Sequence, residues 1–187
     1  MEMQDTKARS GKVVIIGPEG GESFWQPVPA NGFVRNLLNN EVTGASLNFS
    51  MSMQTVAPGC FIREHTHDRN EEIAYVIEGQ GSITVDDDDR PIERGSCVFL
   101  GLNRKHRWNN PGPGPLTLLI LFVPGGLDKF HAEIGRPRRA GDAPPTPFER
   151  PDNIAEIEAR TVFGWTDLGL KKNDPAGPPA SQQSGSS

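Results

Sequence analysis

The sequence predicts an all-β fold, an antiparallel double-sheet barrel followed by short C-terminal helices. Three observations predict it. Many short apolar runs are separated by Gly, Pro, Asn and Asp turn signals, the spacing of a sandwich or barrel. Residues 46–56 set Leu47, Phe49, Met51 and Met53 against Ser46, Asn48, Ser50, Ser52 and Gln54, the period-two pattern of a strand with one buried face. Helical spacing appears only after Gly125-Gly126.

Taken in order, residues 1–11 are polar, lack a signal-peptide core and read as mobile. Residues 12–16 form a short strand that stops at Gly17-Pro18. Residues 19–31 mix Gly and Pro with Phe24 and Trp25, an aromatic pair that covers part of the core or of a partner subunit. Residues 32–38 make another strand, ending at Asn39-Asn40. On the 46–56 strand the apolar face is buried, and its methionines read as adaptable packing that lines a cavity. Ala57-Pro58-Gly59 then turns the chain into a strand on which Phe61, Arg63, His65 and His67 share a face. The preferred reading of Arg63 is a strand-end arginine in solvent. The alternative turns it toward the cavity mouth, to pair with an anionic group of a substrate.

The polar stretch 68–71 reverses the chain, and Glu72 opens the apolar run 73–77. Residues 80–85 continue the sheet after a break at Gly79. Asp86 to Asp89 form a solvated hairpin tip and lack the spaced ligands and central glycine of a calcium loop. Residues 97–100 are the next strand. Trp108 shares a face with His106 and walls the cavity. Residues 116–123 are apolar on both faces, so both sides need cover, the outer from another subunit or from the C-terminal helix. A helix follows over 127–134, with Leu127, Phe130 and Ile134 on one side, Gly135 at its end and His131 as an ordinary helix residue. Residues 136–150 are a Pro- and Arg-rich linker. Asp152 or Asn153 caps a second helix that carries Ile154, Ile157 and Thr161 on one face. Residues 173–187, rich in Pro, Gly, Ser and Gln, are a disordered tail. The chain thus divides into an N-terminal arm (1–31), a barrel (32–125), a helical extension (126–172) and a tail (173–187).

At 187 residues the chain holds one domain with extensions. A net charge of −5 without a basic stripe argues against a nucleic-acid partner. No apolar run reaches the length of a membrane span. Cys60 and Cys97 do not make a secreted disulfide framework and read as two small buried hydrophobes rather than a redox pair. A cytoplasmic protein is expected.

The chemistry concentrates between residues 59 and 110. His65 and His67, two apart on a strand, point to one side and can reach a common point. The returning strand brings the Glu72 carboxylate beside them, and His106 supplies a further imidazole from far downstream. Three of the chain's four histidines are used in this way. Three imidazoles and a carboxylate suit one divalent transition metal and leave coordination positions open. Glu71 also falls within reach by spacing. Glu72 is preferred because it opens the apolar run, whereas Glu71 stays in the turn.

These residues resemble the two motifs of the cupin superfamily. Gly59, His65, His67, Glu72 and Gly79 match the first motif throughout. Gly95, Gly101, Asn103, His106 and Asn110 resemble the second, with Gly101 where the family usually has Pro, Asn103 where it has Gly, and Ser96 where it has Asp. These departures touch the turn that presents His106, not the ligand itself. The resemblance covers about residues 45–123. It implies a jelly-roll barrel with His65, His67, Glu72 and His106 around an enclosed metal: iron, nickel or manganese, with zinc as a further fit. It is similar to quercetinase-like and acireductone-type dioxygenases, which implies oxygen-dependent chemistry on a small enol or phenol bound to the metal, with Glu72 also able to take a substrate proton. Cupins of this kind also include non-oxidative isomerases, decarboxylases and cyclases, and non-catalytic small-molecule binders. Single-domain cupins commonly pair, so the resemblance also implies a homodimer in which N-terminal strands add to the partner's sheet.

Overall fold

The computed structural model describes residues 11–164, so the tail expected at 173–187 and nearly all of the mobile stretch expected at 1–11 lie outside the described residues. Eleven strands and three helices follow one another among the described residues. They are β1 (Glu22–Trp25), β2 (Phe33–Asn39), α1 (Asn40–Thr43), β3 (Ser50–Val56), β4 (Phe61–His65), β5 (Glu71–Glu78) and β6 (Gln80–Val85). The chain continues through β7 (Asp88–Glu93), β8 (Cys97–Leu100), β9 (His106–Asn109), β10 (Leu116–Val123), α2 (Leu127–Ile134), β11 (Arg136–Pro137) and α3 (Ile154–Arg160). Two antiparallel sheets form a jelly-roll barrel, one ordered β11-β1-β2-β3-β10-β5-β8 and the other β4-β9-β6-β7.

The core lies between the sheets. Val56, Ala74, Val76, Leu116, Leu118, Ile120 and Phe122 from the larger sheet meet Ile83, Ile92 and Trp108 from the smaller. In β5, residues 72, 74 and 76 are buried while 71, 73 and 75 are exposed, the alternation of a sheet with one wet face. Gly79 joins β5 to β6 at φ +87°, where a Cβ would lie 2.2 Å from the Pro115 carbonyl oxygen. Only glycine suits that position. The tip between β6 and β7 is solvated, with Asp86 and Asp87 in the left-handed region.

Several expectations are corrected. Residues 12–16 form no strand, and Val13 and Ile15 are exposed. In β3 the faces are reversed. Ser50, Ser52 and Gln54 point inward, while Met51 and Met53 lie half-buried on the outer face, and Leu47 is exposed. The inner polar groups are satisfied: Gln54 Nε2 donates to Gln26 Oε1 at 2.7 Å and Ser52 Oγ to Asn36 Oδ1 at 3.0 Å. Outside, Met51 and Met53 stand opposite Leu121 and Leu119 of β10. From α2 and α3, Leu127, Phe130, Ile134 and Ile157 join the core cluster. The stretch after α2 is no free linker, because β11 adds an edge strand beside β1 and Phe148 is buried. Cys60 and Cys97 are both free. Cys97 is exposed and Cys60 half-buried, so neither is a fully buried packing residue.

Candidate metal centre

The four residues singled out by spacing meet at one point inside the barrel. His65 ends β4, and His106 opens β9 directly opposite it in register. Glu72 is the second residue of β5 and faces inward, while Glu71 beside it is exposed. His67 lies beyond the end of β4, so strand periodicity does not place it. Its carbonyl oxygen accepts from the Asn103 N–H at 2.8 Å, and its ring Nδ1–H donates to the Val162 carbonyl at 2.8 Å. Asn103 takes φ +60°, a conformation that asparagine tolerates better than most residues, and so does there what a glycine would do.

One ligand atom from each of His65, His67, Glu72 and His106 lies within 4.8 Å of the others. All four side chains are at most 4% exposed. Glu72 Oε2 is 3.2 Å from His67 Nε2 and 3.3 Å from His106 Nε2. The other ring nitrogens are tied to backbone. His65 Nδ1 bonds the Arg63 carbonyl at 2.7 Å and His106 Nδ1 the Arg104 carbonyl at 2.9 Å, alongside the bond from His67 to Val162. A carbonyl can only accept, so each ring carries its proton on Nδ1 and turns an Nε2 lone pair to the centre. The Nε2 atoms of His67 and His106 are then buried without a hydrogen-bond partner among the described residues. Buried lone pairs facing a carboxylate are costly unless a cation joins them. This donor set, with each imidazole oriented from behind by a carbonyl, fits a divalent metal ion.

Burial, the neighbouring His106 and His67, and Arg63 push the His65 imidazole well below its ordinary value, against the bond to the Arg63 carbonyl. It is therefore neutral near pH 7, the form that binds metal. Burial pushes the Glu72 carboxyl up, but the two imidazoles, wherever they present N–H to it, hold it at about 2.

A cavity of about 50 Å³ adjoins the cluster, walled in part by Trp108, Phe122, Leu127, Phe130 and Phe163. Trp108 stands where the sequence puts it. Two expectations fail here. Arg63 is not in solvent. It is 5% exposed, lines the cavity and forms a buried ion pair with Glu158 of α3. His131 is not an ordinary helix residue. It is 2% exposed, it also lines the cavity, and its Nδ1 has no hydrogen-bond partner among the described residues. Burial pushes its imidazole down to about 3. For Arg63 the signal was present in the sequence, since it shares the β4 face with His65. For His131 the only signal was its place next to Phe130 on the apolar side of α2. Asn110, the last motif residue, has a structural task. Its amide donates to the carbonyls of Val56, Ala57 and Gly114 and so pins the 111–115 loop.

Comparison with known proteins matches residues 52–122 to the cupin domain family. Protein SchB of Streptomyces halstedii is 36% identical over 101 residues, covering 52% of this chain and 72% of that protein. The chain belongs to the cupin superfamily. Polyketide synthase CurC of Streptomyces cyaneus is 32% identical over 93 residues, covering 50% of this cupin and 60% of that protein. A 1-hydroxy-2-naphthoate 1,2-dioxygenase of a Nocardioides species is 26% identical over 127 residues, covering 66% of this cupin but 33% of the dioxygenase. No helix among the described residues is long and apolar enough to cross a membrane.

Proposed function

We propose that this cupin is a metal-dependent enzyme, an oxygenase of the dioxygenase type acting on a small enol or phenol. His65, His67, Glu72 and His106 would hold one iron, nickel or manganese ion, with zinc as a further fit. The observation that carries the reading is the set of three imidazoles, each held by a backbone carbonyl on Nδ1, with one ligand atom from each and from Glu72 within 4.8 Å of one another. When bound, the metal would supply a Lewis-acid and redox centre for an enolate or phenolate oxygen and for molecular oxygen.

The chain's own residues do the rest. Glu72 offsets the cation's charge. As the one carboxylate of the cluster, it can also take the hydroxyl proton of an enol or phenol held beside it. Trp108, Phe122 and Phe163 give the cavity apolar walls that favour a planar ring and exclude water.

A second reading keeps the metal and drops oxygen, as a non-oxidative isomerase, decarboxylase or cyclase. The similarity to the polyketide synthase CurC over half the chain favours it. The deciding experiment is metal analysis of protein purified without chelator, followed by oxygen uptake with a panel of enols and phenols. Oxygen consumed in proportion to substrate supports the dioxygenase. Turnover without oxygen uptake supports the second reading. Ligand binding without turnover defeats both and leaves a small-molecule-binding cupin.

A further inference from the structure

The cluster is covered by residues 154–164, which lie beyond the segment 52–122 that matches the cupin family. Phe163 sets its ring 4.9 Å from His65, 5.4 Å from His67 and 4.4 Å from Phe130, centroid to centroid. The Gly164 N–H donates to the Thr66 carbonyl at 2.9 Å, and the Val162 carbonyl holds His67. Glu158, 2% exposed, pairs with Arg63. Apart from that ion pair, neither Glu158 oxygen has a hydrogen-bond partner among the described residues. The space left in the cavity, about 50 Å³, admits a few waters. A site for a small organic molecule usually needs roughly 300 Å³ or more. A planar substrate therefore fits only when this cover moves.

The cover itself shows what would replace it. A flat ring lies against two of the metal-centre imidazoles, and a carboxylate on the same segment meets an arginine on the same strand face as His65. We propose that Phe163 and Glu158 occupy, in the closed protein, the places of a substrate's ring and carboxylate. The site would then be built for a ring or enol carboxylate, and residues 154–164 would act as a built-in competitor that such a ligand displaces. A buried ion pair suits this use. Its desolvation cost nearly cancels its attraction, so exchanging one carboxylate for another at Arg63 changes little energy, whereas leaving Arg63 without an acid would be costly. The proposal deepens the functional reading and rests on it only in treating the ligand as a substrate.

The test is calorimetric titration of the full chain, stripped of metal with EDTA, using 2-hydroxybenzoate and phenol as probes. Glu158→Gln should tighten 2-hydroxybenzoate at least tenfold and phenol less than threefold. In Arg63→Gln/Glu158→Gln that preference should vanish. Phe163→Ala should tighten both probes. Equal tightening of both by Glu158→Gln, or of neither, would overturn the proposal, because Glu158 would then only support the fold. A readout on unmodified protein stands if a variant fails to fold. Saturating 2-hydroxybenzoate should speed tryptic cleavage after Arg160 severalfold over phenol, and no such increase would equally overturn it. These readouts need neither metal nor turnover, so their failure is distinct from a failure of the oxygenase reading.

Discussion

His131 should make this protein acid-sensitive through a group outside the metal centre. Burial lowers its folded value from 6.5 to about 3. The unfolded chain takes up a proton as pH falls through 6.5, and the folded chain does not. Stability is therefore lost progressively below about 6.5, and the loss levels off only near 3. At pH 5 the unfolded state gains RT ln(1 + 10^1.5), which is about 2 kcal/mol, while the folded state gains almost nothing. In a chain of this size that corresponds to roughly 4–8 °C in Tm. The assay is urea unfolding of EDTA-treated wild type and His131→Gln at pH 7.5 and pH 5.0, followed by tryptophan fluorescence. The cluster histidines are common to both proteins and cancel. Wild type should lose about 2 kcal/mol more than the variant between the two pH values. Equal losses, to within about 0.5 kcal/mol, would show that His131 either finds a proton acceptor in the cavity or meets water there.

His65→Ala and His106→Ala should each lose most of the bound metal by elemental analysis. Unchanged content in both would remove the site from His65, His67, Glu72 and His106. Glu72→Gln should weaken metal retention by roughly tenfold or more relative to Glu71→Gln, measured by competition with a chelator, and the reverse order would contradict the inward placement of Glu72. Gly79→Ala should cost more than about 2 kcal/mol in urea unfolding, because φ +87° and the Pro115 carbonyl both oppose a Cβ, while an unchanged midpoint would show that the turn relaxes freely. We also propose a homodimer through the outer face of the larger sheet, where Met51, Met53, Leu119 and Leu121 adjoin the exposed Ile73, Tyr75 and Phe99. Light scattering should give the mass of two chains for wild type and of one for Tyr75→Asp/Phe99→Asp, and a wild-type mass of one chain at all concentrations would refute it.

The barrel was legible because its signals are local. Turn residues cut the strands, and a buried glutamate next to an exposed one was readable from where the apolar run 73–77 begins. Helix α2 was legible for the same reason, with Leu127, Phe130 and Ile134 on one side and Gly135 closing it. What failed was phase and distance. Period-two alternation in β3 shows that the two faces differ, but it does not say which one looks inward. The inner face proved to be the polar one because Asn36 and Gln26, distant in sequence, satisfy Ser52 and Gln54. Residues 12–16 have the composition of a strand, yet strand formation needs an edge to pair with, which composition does not supply. Asp152 or Asn153 was expected to cap α3; Asn153 takes the N-cap position, but its side chain makes no capping bond.

The same division runs through the candidate metal centre. His65, Glu72 and His106 sit on paired strands, so the barrel alone fixes where they stand, and the cupin motifs report that barrel. His67 lies past the strand end, and its ring is oriented by the Val162 carbonyl, nearly a hundred residues later. Arg63 is likewise fixed at one end by β4 and at the other by Glu158. Two residues that the motif stretch contributes are therefore finished by a segment with no motif of its own. A motif can thus report the donor set without reporting how the site is closed. In this chain, closure and the orientation of one cluster histidine are linked through the Val162 carbonyl. Any ligand that lifts residues 154–164 must also release the ring nitrogen of His67 from its carbonyl, and so loosens one of the four cluster residues as it enters.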